Sequence, residues 1–267
     1  METTQTLDEI VAALLGAPPG PKAPQAALDR VAAAAGIALA RRLLDRPGLP
    51  PPAVAQQPAE PVQPARFLIL EEFLAPAELS ALQRYAERRE PHFTTSRVIS
   101  PTKEAGVIDY QHRRSRLDFE VGEHHAVLVE RLLSCLPLVR ERLALPPFDV
   151  ARFEVQMTAS NDGDYFKVHN DNTHPALVGR ELTFVYFFHR EPKSFTGGGL
   201  RLHDSRWNGT RYEAAGGHRT ILPEQNQIVF FPSFFMHEIA EVRCPSRAFG
   251  DGRFTLNGWI HKRLAER

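Results

Sequence analysis

Two triplets in this 267-residue sequence pair a histidine with a carboxylate two residues on: His169-Asn170-Asp171 and His189-Arg190-Glu191. With 11 His and 32 acidic residues, about one such triplet is expected by chance, so the pattern alone carries little weight. Context separates the two. In an extended segment residues i and i+2 project from the same face, so His169 and Asp171, within NDGDYFKVHNDN, can share one ion. The second triplet lies where a strand runs out into Glu191-Pro192 and reads as a solvated strand end. A facial site of two imidazoles and one carboxylate, with open positions, suits non-haem Fe(II) and needs a third ligand. His237 is the best candidate. In QIVFFPSFFMHEIAEV an apolar strand, a Pro-Ser turn and a second strand place it at the mouth of a barrel, although a histidine there can equally be a hydrogen-bonded core residue.

The last apolar segment, GRFTLNGWIH, adds a different chemistry. As a strand it turns Arg253, Thr255, Asn257 and Trp259 to one side and Phe254, Leu256 and Ile260 to the other. An arginine, a threonine and an asparagine pointing together into a barrel call for an anionic or polar ligand, because a buried unpaired guanidinium is costly. A carboxylate held in bidentate fashion is the natural partner.

The elements that must position these groups are unevenly spread. Residues 1–66 hold no aromatic residue, no His and no Cys, but 11 of the 22 Pro. Leu7, Ile10, Val11, Leu14 and Leu15, then Leu28, Val31, Ala32, Ala35 and Leu39, follow helical spacing. The expected organisation is an N-terminal helical segment over 1–45, a Pro-rich extended linker over 46–65 and one catalytic domain over 66–267. In that domain, helices are expected over Ala75–Arg89 and Ala126–Leu143, a loop over 100–112, and many short strands: 148–159, 165–171, 181–189, 199–203, 219–222, 227–231, 237–243 and 252–262. That is an α+β chain, mainly β, forming a sandwich or barrel with helices packed outside.

Composition narrows the function. Hydrophobic residues make up 43% of the chain, enough for a real core. Lys+Arg and Asp+Glu are both 32, so no global basic field recommends a nucleic-acid partner. Cys135 and Cys244 are too few for a disulfide framework or a zinc cage and read as reduced thiols. The N-terminus lacks a signal-peptide pattern, and the longest small-apolar run, Val31–Ala40, falls short of a membrane span. A cytoplasmic protein without a membrane partner is the expectation. Arg outnumbers Lys 27 to 5, with much Ala and Pro, which points to a GC-rich, bacterial genome.

Taken in order, these residues resemble the prolyl 4-hydroxylase-like family of Fe(II)- and 2-oxoglutarate-dependent dioxygenases. The family's H-x-D pair, distal His, basic residue and following Trp match His169, Asp171, His237, Arg253 and Trp259. Gly163 and Phe166 precede the first His at familiar spacing, though Tyr is common at the second. Gly197-Gly198-Gly199-Leu200, Phe230-Phe231-Pro232-Ser233 and the opening FLILEEFLAPAELSALQRYA match as well, so the likeness spans about 66–264. The 16-residue gap from His237 to Arg253 is long, and Arg247 within it competes with Arg253 for the co-substrate.

The resemblance implies a double-stranded β-helix (jelly-roll) core and a hydroxylase. Fe(II) would be held by His169, Asp171 and His237. The distal carboxylate of 2-oxoglutarate would pair with Arg253, with a hydroxyl from Thr183, Tyr186 or Thr255 nearby. O2 is consumed, succinate and CO2 are released, and ascorbate is an optional accessory. The retained Asp171 favours hydroxylation over halogenation. The implied substrate is a prolyl residue of a protein or peptide, or free proline, contacted by Arg113, Arg114 and Trp259 beneath a lid over Pro101–His112. The alternatives are hydroxylation of a non-proline small molecule or peptide side chain, a non-catalytic jelly-roll binding or sensing module, and zinc-dependent hydrolysis, which would leave Arg253 unexplained. Residues 1–45 are expected to dock on the domain or on a partner.

Overall fold

The computed structural model describes residues 60–100 and 103–264. The helical segment expected over 1–45, and the linker up to residue 59, lie outside the described residues. What is described is mainly antiparallel β structure with two α-helices.

The major sheet has seven strands in the order β1-β13-β9-β16-β7-β6-β2. They are β1 (Leu68–Leu70), β13 (Gln227–Pro232), β9 (Arg180–Phe188), β16 (Arg253–Lys262), β7 (Val150–Ser160), β6 (Arg116–Asp118) and β2 (Thr94–Thr95). The minor sheet has five, in the order β12-β11-β14-β8-β5. They are β12 (Tyr212–Ile221), β11 (Leu200–Trp207), β14 (His237–Ile239), β8 (Tyr165–His169) and β5 (Arg113–Arg114). Two small ladders complete the set: β3 (Val98–Ser100) with β4 (Lys103–Val107), and β10 (Thr196–Gly197) with β15 (Val242–Arg243).

Both faces of the major sheet are covered, which is why β9 and β13 read as nearly unbroken apolar runs. On one face Leu182, Phe184, Tyr186, Phe188, Phe230, Leu256 and Ile260 pack against helices α1 (Pro76–Arg88) and α2 (His124–Arg142). Helix α1 begins with Pro76 at its first position, while the Glu78 carboxylate accepts from the Ala75 N–H at 2.8 Å. Helix α2 buries Leu128, Leu132, Leu136 and Val139 along one stripe. On the other face Val185, Phe187, Val229 and Phe231 meet Leu200, Leu202, Ile221 and Phe235 of the minor-sheet side. Among the described residues no helix is long and apolar enough to cross a membrane.

Three local expectations change. The loop expected over 100–112 contains β4, paired with β3. Strand β11 runs on to Trp207 and pairs with a β12 that starts at Tyr212. Much of β12 is exposed, so it carries no apolar alternation to reveal it; only pairing with β11 does. His189 is not a solvated strand end. It is 4% exposed, sits edge-on to Phe195, and its Nδ1 lies 2.7 Å from the Arg190 carbonyl. The flanking Arg190 and Glu191 are exposed.

Candidate active site

Strands β8 and β14 are antiparallel neighbours with His169 directly opposite His237, so the ladder sets the two imidazoles side by side, ring centroids 4.2 Å apart. Asp171 follows β8 and is anchored by its own N–H, which donates to the Ser233 carbonyl at 3.0 Å. Its carboxylate faces both rings: Oδ1 is 3.8 Å from His169 Nε2 and Oδ2 is 3.5 Å from His237 Nε2. Among the described residues this is the one group of three such side chains whose ligand atoms converge, all within 4.8 Å of one another.

Each histidine is oriented from behind. His169 Nδ1 lies 2.8 Å from the Lys167 carbonyl, and His237 Nδ1 lies 3.0 Å from the Phe235 carbonyl. In the neutral tautomer that donates from Nδ1 to these carbonyls, each Nε2 carries a lone pair aimed at the common point. Phe166 stacks on His169 at 3.6 Å, and the Arg113 guanidinium lies over the Phe166 ring at 4.4 Å. The Thr183 hydroxyl donates to Asp171 Oδ2 at 2.8 Å and meets the Ser233 hydroxyl at 2.9 Å. Burial holds the His169 pKa well below the ordinary imidazole value, with His237 adding to the effect, so the ring is neutral and ready to ligate. Burial alone would raise the Asp171 pKa. The facing His237 and His169 rings and the hydrogen bond from the Thr183 hydroxyl outweigh it and keep the carboxyl ionised. Two imidazoles and a carboxylate fit Fe(II) with coordination positions to spare.

The same cavity holds the feature that fits 2-oxoglutarate. It is lined by the triad, by Arg113 and Trp259, and by the polar face of β16. Arg253 is 2% exposed, and neither its Nε nor its Nη2 has a hydrogen-bond partner. Burial pushes its pKa down to about 9. The guanidinium carbon lies 5.0 Å from the centre of the Phe187 ring, and among the described residues no carboxylate answers its charge. A buried guanidinium with free donors matches a ligand carboxylate. Gly198 admits it: a Cβ there would stand 2.6 Å from Arg253 Cδ, and the backbone has φ +65°.

Not every expected residue is in this cavity. Thr255 lines it with Arg253, and so does Thr183, but the Thr183 hydroxyl is already engaged with Asp171. Tyr186 is excluded. It lies on the helix-facing side of β9 and its hydroxyl donates to Asn226 Oδ1 at 2.8 Å, because in a strand it has the opposite parity to Thr183. Arg247 is excluded as the buried cation: its side chain is 79% exposed and pairs with Asp162 at 3.2 Å. Arg114 turns away from Arg113, half-exposed, and meets Asp164 at 3.4 Å outside the cavity.

Two groups were missed. Gln156, Thr158 and Ser160 of β7 line the cavity beside β16, and the Thr158 hydroxyl donates to Asn257 Oδ1 at 2.6 Å. Their signal was present as polar residues at every second position between Val155, Met157 and Ala159. Behind Trp259 lies an ionic cluster: Arg180 stacks on the indole at 3.4 Å, pairs with Glu154 at 2.6 Å, and Glu154 in turn meets His261 at 2.9 Å. No local pattern joins those residues, which are separated by up to 107 positions.

Comparisons with known proteins agree with this geometry. Residues 154–261 match the model of the 2OG-Fe(II) oxygenase superfamily. The chain is 34% identical over 215 residues to an uncharacterized PKHD-type hydroxylase of Synechocystis sp., covering 80% of this chain and 69% of the relative. Among solved structures, a Pseudomonas putida prolyl-4-hydroxylase superposes with a TM-score of 0.51 at 18% identity, over 75% of this chain and 94% of that one. A prolyl hydroxylase from Trichoplax adhaerens, in complex with a peptide fragment of the hypoxia inducible factor oxygen degradation domain, gives a TM-score of 0.53 at 17% identity, over 73% and 83%. The chain thus belongs to the 2OG-Fe(II) oxygenase superfamily, and the cofactors that this membership implies are Fe(II), 2-oxoglutarate and O2.

Proposed function

We propose that the protein hydroxylates a prolyl residue of a peptide or protein, or free proline, with His169, Asp171 and His237 holding Fe(II) and Arg253 holding 2-oxoglutarate. The observation that carries the enzyme reading is the unpaired, buried Arg253 in the same cavity as the convergent triad. A zinc hydrolase would leave it unexplained, and a simple binding module would leave the convergent triad unexplained. The prolyl assignment is supported by the two solved relatives, both described as prolyl hydroxylases, one of them with a peptide bound.

When bound, iron and 2-oxoglutarate would supply oxidative decarboxylation and C–H hydroxylation with O2 as oxidant. The chain's own residues orient and enclose. Asp171 presents an ionised carboxylate, held in place by the Thr183 hydroxyl. His169 and His237 would present their Nε2 atoms to the metal, with each ring held through Nδ1 by a backbone carbonyl. Arg253 with Thr255 would fix the far carboxylate of the co-substrate, while Val185, Leu200 and Ile239 exclude water. Arg113, over Phe166, and Trp259 stand on the cavity wall, where a substrate would meet them.

The test has two parts. Anaerobic protein given Fe(II) and 2-oxoglutarate should develop a visible charge-transfer band that Asp171→Ala abolishes. Succinate release should then rise above its uncoupled background with proline-containing peptides or free proline. Release driven only by proline-free substrates would defeat the prolyl assignment while leaving the enzyme class standing.

A further inference from the structure

The stretch from Glu60 to Ala65, the end of the expected Pro-rich extended linker, is tied to the sheet beside the distal histidine. β14 pairs with β11 only along Leu200–Leu202. Further along β11, residues 60–63 bond to the stretch from Ser205 to Trp207. The Glu60 N–H donates to the Trp207 carbonyl at 3.1 Å, the Gln63 N–H to the Ser205 carbonyl at 2.8 Å, and the Ser205 N–H to the Gln63 carbonyl at 3.0 Å. The Ala65 N–H donates to Asp204 Oδ1 at 2.8 Å. Arg66 then reaches over to the helical layer, donating to the Leu143 carbonyl at the end of α2 at 2.8 Å.

Ser205 is the joint. It is fully buried, and its hydroxyl donates to the His203 carbonyl at 3.0 Å while accepting from the Met236 N–H at 2.9 Å. Met236 also accepts, through its carbonyl, from the His203 N–H at 2.8 Å. The next residue is His237. The preceding turn carries Phe235, whose carbonyl fixes the His237 tautomer and whose ring packs in the core between the sheets. A metal ligand on so short a strand owes its placement to what holds the turn before it.

We propose that Ser205 is a positioning residue for His237, and that residues 60–66 act as a strap that keeps Ser205 in place. This rests on His237 being a metal ligand, as proposed above. The physical basis is that groups bonded behind a metal ligand set its orientation, and removing one typically weakens metal binding by about 10–100-fold.

The test is an anaerobic Co(II) titration of the full chain, followed by the visible d–d bands of the bound ion. Ser205→Ala removes the acceptor for the Met236 N–H. Gln63→Pro removes the strap's donor to the Ser205 carbonyl and leaves the buried joint chemically intact, so it decides the matter if Ser205→Ala fails to fold. The expected result is Co(II) binding weakened about 10-fold or more in Ser205→Ala, and weakened in the same direction by Gln63→Pro, with altered d–d bands. A merely structural role would lower the melting temperature of the metal-free protein and leave Co(II) affinity and bands at the wild-type values. That outcome in the folded variants overturns the inference alone. Failure of the wild-type chain to bind Co(II), with Asp171→Ala no different, overturns the metal site and the inference together.

Discussion

Gly198 lies against the aliphatic stem of Arg253 so closely that a methyl group on its Cα would sit 2.6 Å from Arg253 Cδ and 3.0 Å from a methyl of Val242. The glycine on β11's approach therefore sets where the guanidinium on β16 can go. Gly198→Ala should displace Arg253 and weaken 2-oxoglutarate binding by 10-fold or more, with Fe(II) affinity in the absence of 2-oxoglutarate unchanged. Its positive φ adds a backbone cost of about 1–2 kcal/mol. Titrating 2-oxoglutarate into the anaerobic Fe(II) protein, alongside a melt of the apoprotein, separates the two effects.

Arg253 and Arg247 make opposite predictions. Arg253→Met should abolish 2-oxoglutarate binding yet stabilise the ligand-free protein by about 1–4 kcal/mol, because it replaces an unpaired buried cation with apolar volume. Arg247→Ala should leave co-substrate affinity at the wild-type value, since that side chain is exposed and paired with Asp162. Calorimetry for binding and denaturant unfolding for stability check both variants.

The pH dependence of co-substrate binding follows from the same burial. Arg253 has its pKa depressed to about 9, so it stays charged through neutral pH and loses its proton as pH rises through that value. Only the charged form attracts a carboxylate. Affinity for 2-oxoglutarate should be level from pH 7 to 8 and fall above about 9, and Arg253→Met should show no such limb.

Thr183→Val removes the donor to Asp171 Oδ2 and leaves Ser233 without its hydroxyl partner. Metal affinity should drop by about 10–100-fold. The unpaired Ser233 hydroxyl should cost about 1–3 kcal/mol of stability. Thr183→Ser, which keeps the hydroxyl, should restore most of the metal affinity. Fe(II) titration of the two variants side by side reads the difference.

Tyr186→Phe should leave Fe(II) and 2-oxoglutarate affinities untouched while lowering stability by about 1 kcal/mol, through loss of the bond to Asn226. A measurable loss of co-substrate affinity would contradict its position on the helix-facing side of β9.

Strand parity explains which of the expected residues the structure brings to the cavity and which it does not. In β16 every second residue is polar, so Arg253, Thr255, Asn257 and Trp259 could be assigned to one face from the sequence, and they share the cavity wall. In β9, buried on both faces, Thr183 and Tyr186 stand among apolar neighbours, and nothing local says which side faces the metal. Counting parity would still have separated them, since three positions apart in a strand means opposite faces.

The sequence by itself determined the candidate metal-ligand types and the pairing of His169 with Asp171, because a two-residue spacing on an extended chain is a local geometric fact. It also determined the polar face of the final strand. Which distant residues join them was decided only by the tertiary structure. The β8–β14 register brings His237 opposite His169, Asp162 claims Arg247 and leaves Arg253 without a counter-charge, and residues 60–63 bond along β11 beyond the end of β14. Each of these is a long-range pairing, and pairing energy depends on what lies across the ladder or across the cavity, which no stretch of neighbouring residues encodes.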